Sequence, residues 1–380
     1  MQVTKFAIPE IIFGSNSLEY VVPCAIRNGA KKVLLISDPG IEKAGWVDNL
    51  LEFFESGKLN WVYYNSVDSN PRNYQIEEGA NFYLQQRADL IVALGGGSPM
   101  DTAKGIALVA SNGGKIDDYE GANQIQYPLP PMIFIPTTAG SGADISQFAI
   151  ITNVERQVKM AIISRTLIPN ISIIDPLFLQ TKPKWLVIAS AIDALAHAIE
   201  AYVSVLATPF TEIQSLKAIE LIVNNLEEAI HSSTLHNLTN LCIASTAAGM
   251  AFSNASLGVD HAIAHSLGGK YDVMHGLMHP VLLPAVMRFN FPASRKKMAQ
   301  IGEIVTKDKG HTEEETAFQG IRTLESFFKS LEIPLNLRNL IPDRSKLQEA
   351  SQLATQDACI LTNPRHVTWE DCLNICEEVW

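Results

Sequence analysis

The chain of 380 residues is notable first for what it has little of. Cysteine is scarce: Cys24, Cys242, Cys359, Cys372 and Cys376 are odd in number and scattered. That excludes a disulfide framework and fits a reducing compartment. Blocks of Lys or Arg are missing, and 29 basic against 40 acidic side chains leave a net charge of −11. Neither nucleic acid nor an anionic membrane surface is therefore an expected partner. No apolar run approaches the roughly 18 residues that a membrane span needs. Near the N-terminus, Lys5, Pro9 and Glu10 stand where a secretion signal requires an apolar stretch. A cytoplasmic protein is the expectation. Internal repeats and low-complexity tracts are also lacking, which removes solenoid and fibrous classes. What remains is 47% hydrophobic and 18% charged, enough apolar material for the cores of two or three domains.

The first half alternates two periodicities. Lys31–Asp38, Trp61–Val67, Leu90–Leu94 and Met132–Ile135 are short apolar runs of the kind buried on both faces of a parallel sheet. Trp46–Ser56, Asn73–Gln86 and Pro99–Ser111 read as helices between them, which predicts βαβ units. Phe148–Thr152, Val158–Ser164 and Ile171–Ile174 are three further strand candidates. After Pro183 the pattern turns helical, from Trp185–Val205 to the end, where Cys372 and Cys376 fall at i, i+4 as small buried residues of a last helix. The boundary is expected within Gln180–Lys184, giving an α/β domain over 1–181 and an all-α domain over 182–380.

Leu94-Gly95-Gly96-Gly97-Ser98-Pro99 runs from a strand through three glycines into a helix. Glycine lets the backbone approach an anion, and a helix start offers free N–H groups and a positive dipole end. Phosphate binding is the reading, against a turn that merely caps a helix. Ser98 is the expected N-cap, with Pro99 at the first helical position and Asp101 three residues on. The segment is neither G-x-G-x-x-G nor a Walker loop. Asp38, at the end of an early strand, is placed to hold a ribose hydroxyl and repel a 2′-phosphate, or else simply opens the Asp38-Pro39-Gly40 turn. Thr137, Thr138 and Ser141 follow another buried strand and either line a ligand or make a polar loop.

The second half carries Asp193…His197, His261…His265 and His275…His279, each pair at i, i+4. Four of the nine histidines fall within 19 residues (279 − 261 + 1). One such pair would be an ordinary core feature; three in one helical domain point to a divalent transition metal. One oxygen and several nitrogen donors suit Fe2+, Zn2+, Mn2+ or Ni2+, and no thiolate lies near in sequence.

These segments together resemble the iron-containing (group III) alcohol dehydrogenases. Gly95-Gly96-Gly97-Ser98…Asp101…Ala103-Lys104 is similar to the family's G-G-G-S-x-x-D-x-A-K motif. Asp193–Tyr202 resembles its D-A-L-x-H-A-x-E-A-Y helix, and Gly249–Ala255 leading to His261, His265 and His275-Gly276 its second signature; Asn363-Pro364-Arg365 also matches. The resemblance spans the chain. It implies a dinucleotide-binding α/β domain followed by an all-helical metal-binding domain, the architecture shared with dehydroquinate synthase. By resemblance, Asp193, His197, His261 and His275 are the metal ligands, with Fe2+ the first expectation. His265 is a histidine near the metal, either a proton relay or a residue that orients a ligand. Gly95, Gly96, Gly97 and Ser98 match the pyrophosphate loop, and Asp38 the residue favouring NAD over NADP. Asn70, Thr137, Thr138, Ser141 and Lys159 match further cofactor contacts, and Phe252 an aromatic of the substrate pocket.

Three positions depart from the family pattern. Asp144 replaces a common Glu, Ala191-Ile192 replace Gly-Met or Gly-Leu, and His279 stands where Asn is common. If the helix continued through Gly276, His279 would share a face with His275. It is placed with the substrate pocket, as a donor to a substrate hydroxyl; a helix-end residue without a role is another reading, and a fifth ligand, which would crowd the position an alkoxide needs, ranks last. The implied activity is NAD(H)-linked interconversion of a small primary alcohol or diol and its aldehyde by a homo-oligomeric enzyme, the metal polarising the substrate oxygen. A glycerol or polyol dehydrogenase, or a dehydroquinate synthase-like lyase, are the alternatives on the same scaffold.

Overall fold

A computed structural model describes residues 5–341 and 343–380. The strands are β1 (Glu10–Phe13), β2 (Lys32–Ile36), β3 (Asn60–Tyr64), β4 (Leu90–Gly95), β5 (Gly121–Ala122), β6 (Met132–Pro136), β7 (Phe148–Asn153), β8 (Val158–Ile163) and β9 (Ile171–Ile174). The helices are α1 (Val21–Arg27), α2 (Pro39–Lys43), α3 (Trp46–Ser56), α4 (Asn73–Gln86), α5 (Gly97–Asn112), α6 (Lys184–Val203), α7 (Pro209–Ser232), α8 (Leu235–Ala255), α9 (Val259–Tyr271), α10 (His279–Thr306), α11 (Glu313–Ser330), α12 (Leu347–Ala354) and α13 (Trp369–Glu378). They form two compact units, Ala7–Lys182 and Pro183–Trp380, the latter joined by Phe6.

In the first unit six parallel strands stand in the order β1-β9-β6-β4-β2-β3. Alternation along each strand divides the apolar residues between two faces. Val33, Leu35, Leu90 and Val92 pack with Leu50 and Phe54 of α3. Leu34, Ile36, Ile91 and Ala93 pack with Met100, Ala103 and Ile106 of α5. Both faces are covered, which is why these strands read as unbroken apolar runs. The hairpin β7–β8 belongs to a separate three-stranded sheet with β5, over a core of Ile76, Leu108, Ile151 and Met160. The order also fixes a switch point. From β2 the chain moves outward to β3, then returns to the other side of β2 as β4. In open α/β sheets, ligands bind at the carboxyl ends of the strands at such a place.

The second unit is helical among the described residues. α6 is long and apolar enough to cross a membrane by length and composition alone, but it is mostly buried, and it carries Asp193, His197 and Glu200 on its inner side. Its close neighbours are α7 and α8, while α10 packs on α11. Gly302 and Gly320 permit that last contact: a β-carbon on Gly320 would fall 2.5 Å from the Gly302 Cα. α10 contains Pro284 and Pro292 and leaves helical geometry at Ser294, a kink with a proline cause.

Candidate active site

The cofactor-side residues gather at the switch point of the first unit. β4 ends at Gly95, whose φ is +152°, and α5 begins at Gly97. A β-carbon on Gly95 would lie 2.6 Å from Pro99 Cγ, so glycine is required twice over, by conformation and by space. The cap differs from the one expected from the sequence. Gly96, not Ser98, is the N-cap, and it supplies no side-chain hydrogen bond. Ser98 lies inside the helix and donates from Oγ to the Ser69 carbonyl at 2.6 Å. Asp101 makes no capping box; it is one member of a buried polar group with Lys104. The start of a 16-residue helix thus keeps its backbone N–H groups unspent by side chains, the arrangement that receives an anion.

The side chains around this loop are those expected. Thr138 Oγ1 and Ser141 Oγ stand 3.4 and 3.2 Å from where β-carbons on Gly96 and Gly97 would be. Thr137 is fully buried, its N–H donates to the Gly95 carbonyl at 2.8 Å, and its hydroxyl has no hydrogen-bond partner. Asp38 opens the turn into α2, as one of its two readings has it. Oδ1 caps α2 by accepting from the N–H groups of Gly40 and Ile41 at 2.8 and 3.1 Å. Oδ2 faces Gly95, 3.3 Å from its would-be β-carbon. Lys159 Nζ donates to Asn70 Oδ1 at 2.9 Å, one residue from the Ser69 carbonyl that anchors Ser98. Beneath the loop, fully buried Lys104 donates to the carbonyls of Ser146 and Phe148 at 2.9 and 2.6 Å. Burial lowers its ammonium to about 8 although Asp101 and Asp144 oppose the shift. Burial raises the Asp101 carboxyl to about 6. Asp144 is buried and accepts from Ser172 Oγ at 2.6 Å.

The second unit brings the histidines together around Asp193. The Nε2 atoms of His197, His261 and His275 each lie 3.7 Å from Asp193 Oδ1, and that of His279 lies 3.2 Å away. The ligating atoms of Asp193, His261, His275 and His279 all fall within 4.8 Å of one another. Yet Asp193 Oδ1 and His261 Nε2 are buried atoms that make no hydrogen bond. Buried polar atoms in a native fold are almost always satisfied. A carboxylate oxygen and imidazole nitrogens converging at these distances fit a divalent transition metal. Burial works against ionisation of Asp193, but His197, His261, His279 and His275 outweigh it and hold the carboxyl well below its ordinary range. Burial and the neighbouring His279 push His275 well below.

Local structure explains the convergence. Asp193 and His197 are one turn apart on α6, and Phe252 of α8 stacks on the His197 ring at 4.3 Å. His261 and His265 sit a turn apart on α9. His275 is not on a helix shared with His279, contrary to the helical continuity read from the sequence. It opens a 3-10 turn, His275–Leu277, and α10 starts only at His279. Gly276 makes that turn possible by lying against the Ala189 carbonyl of α6.

The carboxylates behind the imidazoles were missed at the sequence level. Glu200 Oε2 meets His261 Nδ1 at 2.7 Å, and Glu200 Oε1 accepts from the Asp260 N–H at 2.7 Å, so one side chain orients a ring and caps α9. Asp357 Oδ2 meets His265 Nδ1 at 2.8 Å; burial opposes its ionisation, but His265 and the Cys359 N–H hold it near 2. Asp260 Oδ2 bonds His279 Nδ1. Glu200 carried a signal, since it lies seven residues after Asp193 and three after His197 on one helix. Asp357 carried none. His279 is not in a substrate pocket: it is fully buried, with Nδ1 taken by Asp260 and Nε2 turned to Asp193 and His275.

Comparison with known proteins gives the family. Residues 9–176 match the iron-containing alcohol dehydrogenase family, and residues 187–380 match the Fe-containing alcohol dehydrogenase family, C-terminal. The chain belongs to the iron-containing alcohol dehydrogenases. It is 36% identical over 365 residues to the 1,3-propanediol dehydrogenase of Klebsiella pneumoniae, covering 95% of this chain and 94% of the relative. Alcohol dehydrogenase 4 of Saccharomyces cerevisiae (strain ATCC 204508 / S288c) is 38% identical over 382 residues, covering 100% and 99%. The NAD-dependent methanol dehydrogenase of Bacillus methanolicus is 34% identical, covering 98% and 99%. A crystal structure of a 1,3-propanediol oxidoreductase superposes with a TM-score of 0.97 at 34% identity, covering all of both chains. This iron-containing alcohol dehydrogenase is thus an oxidoreductase of the alcohol– or diol–aldehyde class.

Proposed function

We propose that the protein uses NAD(H) and a divalent metal, iron first, to interconvert a small primary alcohol or diol and its aldehyde. The observation that carries the reading is the convergence of four imidazole Nε2 atoms within 3.2–3.7 Å of one buried, unbonded carboxylate oxygen. Residues 1–181 take the cofactor and residues 182–380 the metal. Asp193, His197, His261 and His275 hold the metal, which when bound supplies Lewis acidity that lowers the pKa of an alcohol hydroxyl or polarises a carbonyl. Gly95, Gly96, Gly97 and Ser98 receive the pyrophosphate at the start of α5, with Thr137, Thr138, Ser141, Asn70 and Lys159 around it. Asp38 keeps one oxygen on the α2 backbone and the other toward the loop, where a carboxylate disfavours a 2′-phosphate. Phe252 fixes the His197 ring. His265, oriented by Asp357, either passes the alcohol proton outward or steadies His275, on which it stacks at 5.1 Å.

The similarity to an NAD-dependent methanol dehydrogenase supports the cofactor, and the similarity to propanediol dehydrogenases supports small alcohols and diols. The lyase alternative finds no support. Ala194, Leu195, Ala262 and Ile263, next to the ligands in sequence, are apolar and buried, and Lys270, the nearest base in sequence, is paired with Glu349 at 2.6 Å. A cytoplasmic homo-oligomer remains the proposed setting. The test strips metal from the purified chain, reloads Fe2+, Zn2+, Mn2+ or Ni2+, and follows NADH absorbance with short alcohols, 1,3-diols and their aldehydes. Metal-dependent turnover, highest with Fe2+, is expected. Turnover unaffected by stripping would overturn the metal reading, and none with any substrate the function.

A further inference from the structure

One histidine of the donor cluster lies outside the four expected ligands. His279 is fully buried at the first turn of α10. Its Nδ1 bonds the carboxylate of Asp260, itself fully buried on α9. That bond fixes the ring so that Nε2 points away from Asp260, 3.2 Å from Asp193 Oδ1 and 3.3 Å from His275 Nε2. A carboxylate on one imidazole nitrogen with the other facing a cluster of donors is how proteins orient a metal-ligating histidine.

The distances bear on what the Nε2 atom is for. Two ligand atoms, each about 2.1 Å from one ion, lie about 3.0–3.4 Å apart at angles of 90–110° and farther at wider ones. His279 Nε2 satisfies this toward both Asp193 Oδ1 and His275 Nε2. We propose that His279, positioned by Asp260, is a fifth protein ligand of the metal, beside Asp193, His197, His261 and His275. The inference deepens the metal reading above and rests on it.

Exclusion of a substrate oxygen by a fifth ligand holds for a four-coordinate ion. It does not hold for a six-coordinate one, where five protein donors still leave one place for a substrate oxygen. The donor set is too large for tetrahedral Zn2+, whose catalytic sites keep three protein ligands and an open position. It suits Fe2+, Mn2+, Co2+ or Ni2+, which accept higher coordination. The rival arrangement is a plain hydrogen bond between the His275 and His279 rings, in which only one of them binds the ion.

Cobalt separates the two. The apo chain is loaded with Co2+, and the proton spectrum is searched for exchangeable imidazole N–H signals with large contact shifts. Binding of one Co2+ per chain tests the metal centre itself; no stoichiometric binding sinks that reading and the inference together. Given binding, one such signal each from His197, His261, His275 and His279 is expected, with the weak visible absorption of a five- or six-coordinate ion. Three signals and the intense absorption of tetrahedral cobalt would overturn the proposal while leaving the metal centre standing. This reading needs no variant, so it survives any folding defect. His279→Asn should then lose one signal and bind Co2+ roughly 10–100-fold more weakly in chelator competition. Asp260→Asn, which keeps the imidazole, should retain the signal at a changed shift and weaken binding less. An unchanged spectrum and affinity in His279→Asn would refute the ligand role.

Discussion

Gly276 is the position where the smallest chemical change should reach the metal. A β-carbon built there falls 2.4 Å from the Ala189 carbonyl oxygen and 2.9 Å from its carbon. Both atoms are backbone of α6, which is buried along this stretch, so they cannot swing aside. An ordinary contact therefore requires about 1 Å of separation between the His275–Leu277 turn and α6. Asp193 and His197 are carried by α6, and His275 by the turn, so the displacement falls on the geometry of the proposed ligands. Metal–ligand distances tolerate about 0.2 Å, several times less than the shift. Gly276→Ala is expected to weaken metal binding roughly 10–100-fold while costing about 1–3 kcal/mol in packing. The control is Gly302→Ala, whose β-carbon would meet the Thr316 carbonyl oxygen at 2.3 Å in the contact of α10 with α11. It carries the same kind of clash but involves none of the donors. Metal content after dialysis, with thermal unfolding in parallel, decides the matter. If Gly276→Ala keeps its metal as well as Gly302→Ala does, the turn does not position His275 and the reasoning fails.

Asp38→Gly should relax cofactor choice mainly by improving use of NADP, read as the ratio of kcat/KM values for the two cofactors; equal efficiency in the unmodified protein would sink the role of the carboxylate. The Asp357 carboxyl, held near 2 against an ordinary 3.8, stabilises the fold above pH 3.8, and that contribution is lost as pH falls toward 2. The shift is worth about 2 kcal/mol. Asp357→Asn should thus lower the melting temperature at pH 7, with a gap from the parent that narrows toward pH 3. A gap that is constant with pH would show that the carboxylate acts by packing alone.

How far the sequence could be read depended on how local each signal was. Leu90–Leu94 and Met132–Ile135 announce themselves because a strand covered on both faces needs no polar alternation, and the structure buries them fully. β1 escaped notice: four half-exposed residues at the sheet edge, paired only with β9 near the other end of the unit, carry too little periodicity. The glycine loop was legible as a strand-to-helix turn, but its cap was not, because Ser98 is a good capping residue that the fold uses elsewhere, on the Ser69 carbonyl. For Asp38 the turn reading holds through one oxygen, on the Gly40 and Ile41 N–H groups, while the other faces Gly95. Among the donors, spacing within a helix revealed Asp193 with His197 and His261 with His265. It misled at His275 and His279, where a glycine contact with α6 interrupts the helix. The Asp357–His265 bond joins residues 92 apart in sequence and leaves no local trace.

The missed carboxylates change the electrostatic account of the site. Asp193, Glu200, Asp260 and Asp357 are all buried on or behind the histidine cluster, with side-chain exposures of 10, 2, 0 and 9%. So much negative charge out of water is costly unless it is matched. Two means of matching it are available at the same atoms. Protons on the imidazoles are one, which is why His261 is raised and His279 is lifted to about 10 despite burial that opposes both. A divalent cation at the Nε2 atoms is the other, and it demands that those nitrogens be bare. Metal and protons therefore compete for one set of positions, while the Nδ1 hydrogens stay with Glu200 and Asp260 in either case. The carboxylates do more than aim the rings: they supply the charge that would make a cation among the histidines favourable.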